Sequence, residues 1–315
     1  MSTLKRVLDR LGTPPVLRQL AYASIVANVL IVITGGAVRL TGSGLGCPTW
    51  PGCTDDSYVP TAAMGVHGVI EFGNRLITLA VALVAVLGVI SAWRQRPRRS
   101  RPTRLAVAVF LGIPAQGVVG GVTVLTDLNP WVVACHFLVS MAVIAAAYAF
   151  WRSTDEPGPG SAVAAPLRTL VGLVTAASAA VLVAGTVVTG SGPHAGDEDA
   201  RRTGLDPATV SQVHADLVFL LLGLAVAAWF ALRAVGATAA AARAAWLVGI
   251  VLAQGVVGLV QYLTDLPAVI VGLHMAGACA VWLATLSLLF ATRTRVERPF
   301  ADHGLKSMIG SVSGP

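Results

Sequence analysis

Four histidines lie inside long apolar stretches of this chain: His67, His136, His214 and His274. An ionisable side chain in such surroundings is rare and is a functional candidate by default. His136 follows Pro130 by six residues and His274 follows Pro267 by seven. At ~1.5 Å per helical residue, both reach about 10 Å below one surface. His67 and His214 open the second and sixth apolar stretches, each preceded by valine (Val66, Val213). Each half of the chain thus brings two imidazoles to one level from two segments. That pattern suits a haem held between helices, with one imidazole on each face of the iron. A bare zinc or copper ion usually recruits more than two protein ligands. The plain alternative is a set of hydrogen-bonded core histidines.

The second stretch carries more polar chemistry than the sixth. It reads His67-Gly-Val-Ile-Glu71-Phe-Gly-Asn74-Arg75. At ~100° per residue, Glu71 and Asn74 fall within about 40° of His67, with Arg75 at the edge of that face. The sixth stretch has no matching carboxylate, and its Asp216 points about 200° away from His214. A buried acid in one half only predicts one reactive site and one electron-transfer site. The alternative is a Glu71–Arg75 pair at i,i+4 that only steadies a helix. Arg39, at the end of the first stretch, is placed to meet either a haem propionate or a lipid phosphate. His194 reads as a loop residue, and His303 has no evident role. No phosphate loop, dinucleotide fingerprint, covalent-haem Cys-X-X-Cys-His or hydrolase triad is present.

The elements that position these groups are duplicated. Ala115-Gln-Gly-Val-Val-Gly120 recurs letter for letter as Ala253–Gly258, 138 residues on, the same offset that separates His136 from His274. Each copy leads to Leu-Thr-Asp-Leu, at Leu125–Leu128 and Leu263–Leu266. Thr41-Gly-Ser-Gly44 recurs as Thr189–Gly192, and Val66-His67 is matched by Val213-His214. Two copies of a four-segment unit keep one orientation, which predicts a pseudo-two-fold axis along the membrane normal. The expected units are residues 1–151 and 167–292, joined by a polar linker at 152–166 and followed by a tail at 293–315.

Composition supplies the membrane. The chain has 315 residues, 55% hydrophobic and 12% charged, against roughly 25% charged in soluble domains. Eight apolar spans are expected, near 20–38, 65–93, 105–125, 131–151, 167–189, 210–232, 244–263 and 268–291, each about the length that crosses a bilayer core. They are helices rather than barrel strands, giving an all-α integral membrane fold. Of 22 Lys and Arg, 18 fall on one side of this topology, so the positive-inside rule puts both termini in the cytoplasm of a plasma-membrane protein. The net charge of +7 is thereby accounted for without nucleic acid. The first 19 residues, charged and broken by proline, contain no cleavable signal. Loops 39–63 and 190–209 then face the oxidising side. There Cys47-Pro-Thr-Trp-Pro-Gly-Cys53 predicts a disulfide, the alternatives being free thiols or half of a metal site. Cys135 and Cys279, inside spans, read as small buried packing residues.

Several of these pieces together resemble the haem A synthase family, of the CtaA type in an actinobacterial-like variant. They are Gly35–Gly44, the Cys47–Cys53 loop, Ile70-Glu71-Phe-Gly-Asn74-Arg75, Thr189-Gly-Ser-Gly-Pro-His194-Ala-Gly-Asp197 and the four-histidine pattern. The resemblance implies oxidation of the C8 methyl of haem O to a formyl group, giving haem A for aa3-type oxidases. It implies a resident haem b on His214 and His274 in the second half. It implies a haem O site in the first half formed by His136, Glu71, Asn74, Arg75, Arg39 and His67. Membrane lipid surrounds the chain, and the implied partners are haem O synthase and the oxidase assembly machinery. The Cys pair is redox-linked in the family. In much of it a histidine stands three residues after the Glu, where this chain has Asn74. Either His67 replaces that ligand, or His136 serves alone. A di-haem electron-transfer cytochrome and a transporter are the competing functions.

Overall fold

The structure is a computed structural model that describes residues 9–155 and 163–293. Eight helices are long and apolar enough to cross a membrane: α1 Pro14–Leu40, α2 Gly65–Arg94, α3 Ser100–Leu125, α4 Pro130–Ser153, α5 Ala165–Ser191, α6 Pro207–Ala234, α7 Thr238–Leu263 and α8 Ala268–Ala291. Most exceed the apolar spans by a few residues. The hydropathy signal stops at the first charge, but the backbone's need for internal hydrogen bonds does not. Helix α1 starts earlier than the expected break at Pro14-Pro15. Proline is tolerated in the first turn, where its missing N–H has no partner to lose, and Thr13 precedes it in extended conformation. The ends of the linker are likewise helical, at Ser153 and from Ala165. Its middle, 156–162, and the tail from 294 lie outside the described residues.

The copied sequence makes a copied turn. Helices α3 and α7 both end on two consecutive left-handed residues, Asp127 and Leu128 (φ 51° and 54°) and Asp265 and Leu266 (both 58°). The second of each pair donates its N–H back into the helix, Leu128 to Thr123 O at 2.9 Å and Leu266 to Gln261 O at 2.8 Å. A leucine in this region is uncommon and needs surroundings that hold it. Leu128 has them, packed with Ala195 and Ala200 and within van der Waals reach of Gly44.

Each half closes into a ring of four: α1 on α2, α2 on α3, α3 on α4 and α4 on α1, then α5 to α8 likewise. The halves meet through α1 on α8, α4 on α5, and α4 on α8. Exchanging the halves maps this set onto itself, as a two-fold relation requires. The seam is apolar, built from Val32, Met141, Ile144, Leu182 and Cys279, and Trp282 Nε1 donates to Met141 O at 2.9 Å. Cys279 is buried there as expected, but Cys135 is exposed. The expectation for Cys135 fails because its face of α4 lines an outward-facing apolar groove of about 420 Å³ with Val183, Thr186 and Val187 of α5.

The outer loops lace the halves together. Arg39 Nε donates to His194 O at 2.5 Å and its Nη2 to Thr189 O at 2.8 Å. Gly44 N donates to Gly196 O at 2.8 Å, and His194 Nε2 lies 2.8 Å from Leu266 O. On the other surface, Asp155 pairs with Arg18 and Arg152.

Candidate functional site

In the second half, α6 and α8 bring His214 and His274 face to face. Their ring centres are 6.4 Å apart and the planes are inclined by 68°. Two metal–imidazole bonds of about 2 Å, with about 1.1 Å from ring nitrogen to ring centre on each side, give a separation of about 6.3 Å. The spacing is therefore that of two imidazoles on opposite faces of one iron. Small residues make the room. A Cβ at Gly185 of α5 would lie 3.2 Å from His214 Cε1, and one at Gly258 of α7 would lie 3.1 Å from His274 Cε1. Nδ1 of each ring is buried without a hydrogen bond of ordinary geometry, although the Val181 backbone is within reach of His214. Among the described residues, no trio of His, Cys, Asp or Glu could hold a bare metal ion. Two facing donors with little else fit a metal that brings its own equatorial ligands.

The first half repeats this arrangement with one change. His136 of α4 faces Gly120 of α3 as His274 faces Gly258, a Cβ there lying 3.3 Å from Cε1, and its Nδ1 is also buried and unpartnered. Opposite, Asn74 of α2 approaches Gly35 of α1, its Nδ2 3.9 Å from where a Cβ would stand, and its Oδ1 accepts from Thr34 Oγ1 at 2.7 Å. Gly35 is five residues from the end of α1 and Gly185 six from the end of α5. Asn74 therefore stands where His214 stands.

His67 does not take that place. It sits in the first turn of α2, exposed, with Nδ1 2.8 Å from Ser43 Oγ in the outer loop. The expected match of Val66-His67 with Val213-His214 is thus corrected. The dipeptides agree in letters, but His67 lies seven residues before Asn74, about 10 Å further out along the helix.

Glu71 and Arg75 hold the disulfide loop. The Glu71 carboxylate is 6% exposed. Its Oε1 accepts from Arg75 Nη2 at 2.5 Å and Nε at 3.2 Å, and its Oε2 from Cys47 N at 2.6 Å. Arg75 also donates to Gly52 O (2.9 Å), Thr49 O (3.1 Å) and Cys47 O (3.2 Å). The i,i+4 pair is present and reaches well beyond its own helix. Cys47 and Cys53 form the expected disulfide and are fully buried. The Trp50 ring of the same loop lies so close to Gly121 of α3 that a Cβ there would collide with it. Arg39, expected at a propionate or a lipid phosphate, instead donates to carbonyls near the loop of the opposite half.

The profile of the family described as "Cytochrome oxidase assembly protein" (COX15-CtaA) matches residues 18–286. The chain belongs to this family. Among curated proteins, it is 31% identical over 131 residues to "Heme A synthase" of Geobacillus kaustophilus (strain HTA426). It is 33% identical over 116 residues to proteins of the same name from Bacillus cereus (strain AH187) and Bacillus anthracis (strain CDC 684 / NRRL 3495). These alignments cover 41% of this chain and 41% of the first relative, and 36% and 37% respectively for the other two. The chain thus matches less than half the length of each relative.

Within this COX15-CtaA chain, some residues at the sites carry no sequence signal of their own. Thr34 and Ser43 are short polar side chains that only the fold brings to Asn74 and His67. His194 reads as a loop residue, yet it joins Arg39 to the end of α7. Gln116 and Gln254 stand inside the copied hexapeptide, but nothing in the letters says what they touch.

Proposed function

We propose that this protein is a haem A synthase, oxidising the C8 methyl of haem O to a formyl group, with a resident haem b in its second half. The observation that carries this reading is the pair His214–His274, with ring centres 6.4 Å apart. A single histidine, His136, stands at the equivalent level of the first half. In this reading, His214 and His274 hold haem b by its two faces, and a haem bound there would supply one-electron redox chemistry. His136 holds haem O from one side. Asn74 faces it from α2 with an amide, which leaves that side of the substrate open for reaction. Glu71 is the carboxylate beside this site that can accept a proton as the methyl carbon is oxidised. Arg75 orients it, and His67 and Arg39 fix the loops that roof the cavity. The basic surface places both termini in the cytoplasm and the protein in the plasma membrane. Haem O synthase upstream and an oxidase under assembly downstream would be its partners. A symmetric electron carrier would have no use for an acid in one half alone, which speaks against the di-haem cytochrome.

The test is haem conversion in membranes supplied with haem O, with extracted haems separated by chromatography. We expect haem A, and a low-spin Soret band in the purified protein. Absence of a Soret band would remove the haem reading altogether. A Soret band with no haem A would favour the electron carrier.

A further inference from the structure

The copied hexapeptide performs one structural task twice. Gln254 Nε2 on α7 donates to the backbone carbonyl of His274 on α8 at 2.6 Å. Gln116 Nε2 on α3 donates to the carbonyl of His136 on α4 at 3.2 Å. Four residues on, and so on the same face of each helix, Gly120 and Gly258 leave space for the two imidazoles, whose Cε1 atoms lie 3.3 and 3.1 Å from where a Cβ would stand. One residue of the hexapeptide thus grips the backbone of the histidine, and another clears room for its ring. A helix carbonyl has a second lone pair free after its i+4 bond. In an apolar slab no water can replace a lost partner.

We infer that Gln116 and Gln254 are positioning residues, each clamping the histidine-bearing helix at the level of the imidazole. The inference rests on the proposed haem reading, because the setting it fixes is that of the ring against a porphyrin. The clamps are unequal. Ser140 Oγ also donates to His136 O, at 3.0 Å, and contacts the Gln116 amide. The counterpart of Ser140, 138 residues on, is Ala278. The first-half clamp is therefore backed by a hydroxyl, whereas the side-chain grip on His274 O comes from Gln254 alone. This matches their proposed tasks in one respect: the second half's clamp acts on a histidine already tied through the metal to His214.

Methionine is close to glutamine in volume and cannot donate, so Gln254→Met removes the bond and keeps the packing. The experiment uses the purified full-length protein with its resident haem. Its readouts are the low-spin electron paramagnetic resonance signal and the rate of haem loss to a soluble acceptor protein. Gln254→Met should shift the signal and release haem about tenfold faster, the scale at which outer partners of metal ligands act. Adding Ala278→Ser, which rebuilds the first half's backing hydroxyl, should recover part of both changes. Gln116→Met should leave both untouched. A wild-type signal and release rate in Gln254→Met overturns the clamp, as does an equal change in Gln116→Met. Wild-type protein that binds no haem fails the haem reading instead, and the clamp falls with it.

Discussion

The two halves share a frame almost completely and diverge where chemistry is needed. Both end their third helix on the same left-handed Asp-Leu turn, both seat a histidine against a glycine of that helix, and both grip the histidine's carbonyl with a glutamine. Across from that histidine the second half places His214 and the first half Asn74. The first half alone adds a buried carboxylate and, above it, a disulfide loop. Duplication supplied two equal cradles, and a few substitutions made them unequal. A site with two facing imidazoles saturates the metal it holds, while a site with one leaves a face open.

The largest expected effect tests the saturated site. His274→Ala should remove most of the resident haem, because one remaining imidazole, His214, holds the iron from one face only. Haem per protein, measured as the pyridine complex, should fall several-fold. Retention of full haem with an unchanged low-spin spectrum would dissolve the distinction between the halves.

The next test makes the halves equal. Asn74→His should give the first half a second axial imidazole opposite His136. Haem O bound there should turn low-spin, and conversion should fall by roughly tenfold or more as the open face is lost. His67→Ala is the paired control, which should cost the Ser43 contact and little turnover. If His67→Ala abolishes substrate binding while Asn74→Ala is silent, His67 is the ligand after all, and the helix register would have misled us.

Much of this frame was legible in the letters. The eight spans, the two-unit organisation and the disulfide all follow from composition and from an exact repeat, since a membrane helix must satisfy its backbone within itself. Helix ends were less legible. Pro14 reads as a breaker in a hydropathy profile and as a first-turn residue in the helix. The pairing of His67 with His214 failed for a different reason. Two matching letters fix no register when the loop before them differs, and seven residues along a helix preserve the face while moving the group about 10 Å. The partners of Arg39, His194 and Glu71 are hardest to foresee. Their contacts are backbone groups of distant loops, which carry no sequence signature.

Glu71 separates catalytic from structural asymmetry. Glu71→Gln keeps an amide oxygen for the Cys47 N–H but loses the charge that Arg75 faces. If the carboxylate takes part in the reaction, conversion should fall by about a hundredfold or more, with the second-half haem spectrum intact. If it only holds the loop, haem A formation should persist while thermal stability drops, because Arg75 is left partly buried without its counter-charge. Haem products and the melting temperature of one preparation distinguish the two outcomes.

The smallest effect concerns what joins the halves. Arg39 reaches from α1 to His194 O and Thr189 O, and His194 in turn lies against Leu266 O, where α7 ends. This chain of contacts lies at the outer surface, above both histidine levels, and touches neither ring. Hydrogen bonds from a charged donor contribute about 1.5–3 kcal/mol each, but the apolar seam of Val32, Met141, Ile144, Leu182 and Cys279 remains beneath them. Arg39→Met should therefore lower the melting temperature by only a few degrees and leave the resident haem's spectrum unchanged. If the two sites exchange electrons across the seam, a looser junction should also slow conversion modestly without changing haem content. The alternative expectation, that Arg39 anchors a propionate, makes the opposite forecast: weakened haem binding at one site with unchanged stability. Measuring haem affinity and melting temperature on the same variant decides between an arginine that holds a ligand and one that holds two halves together.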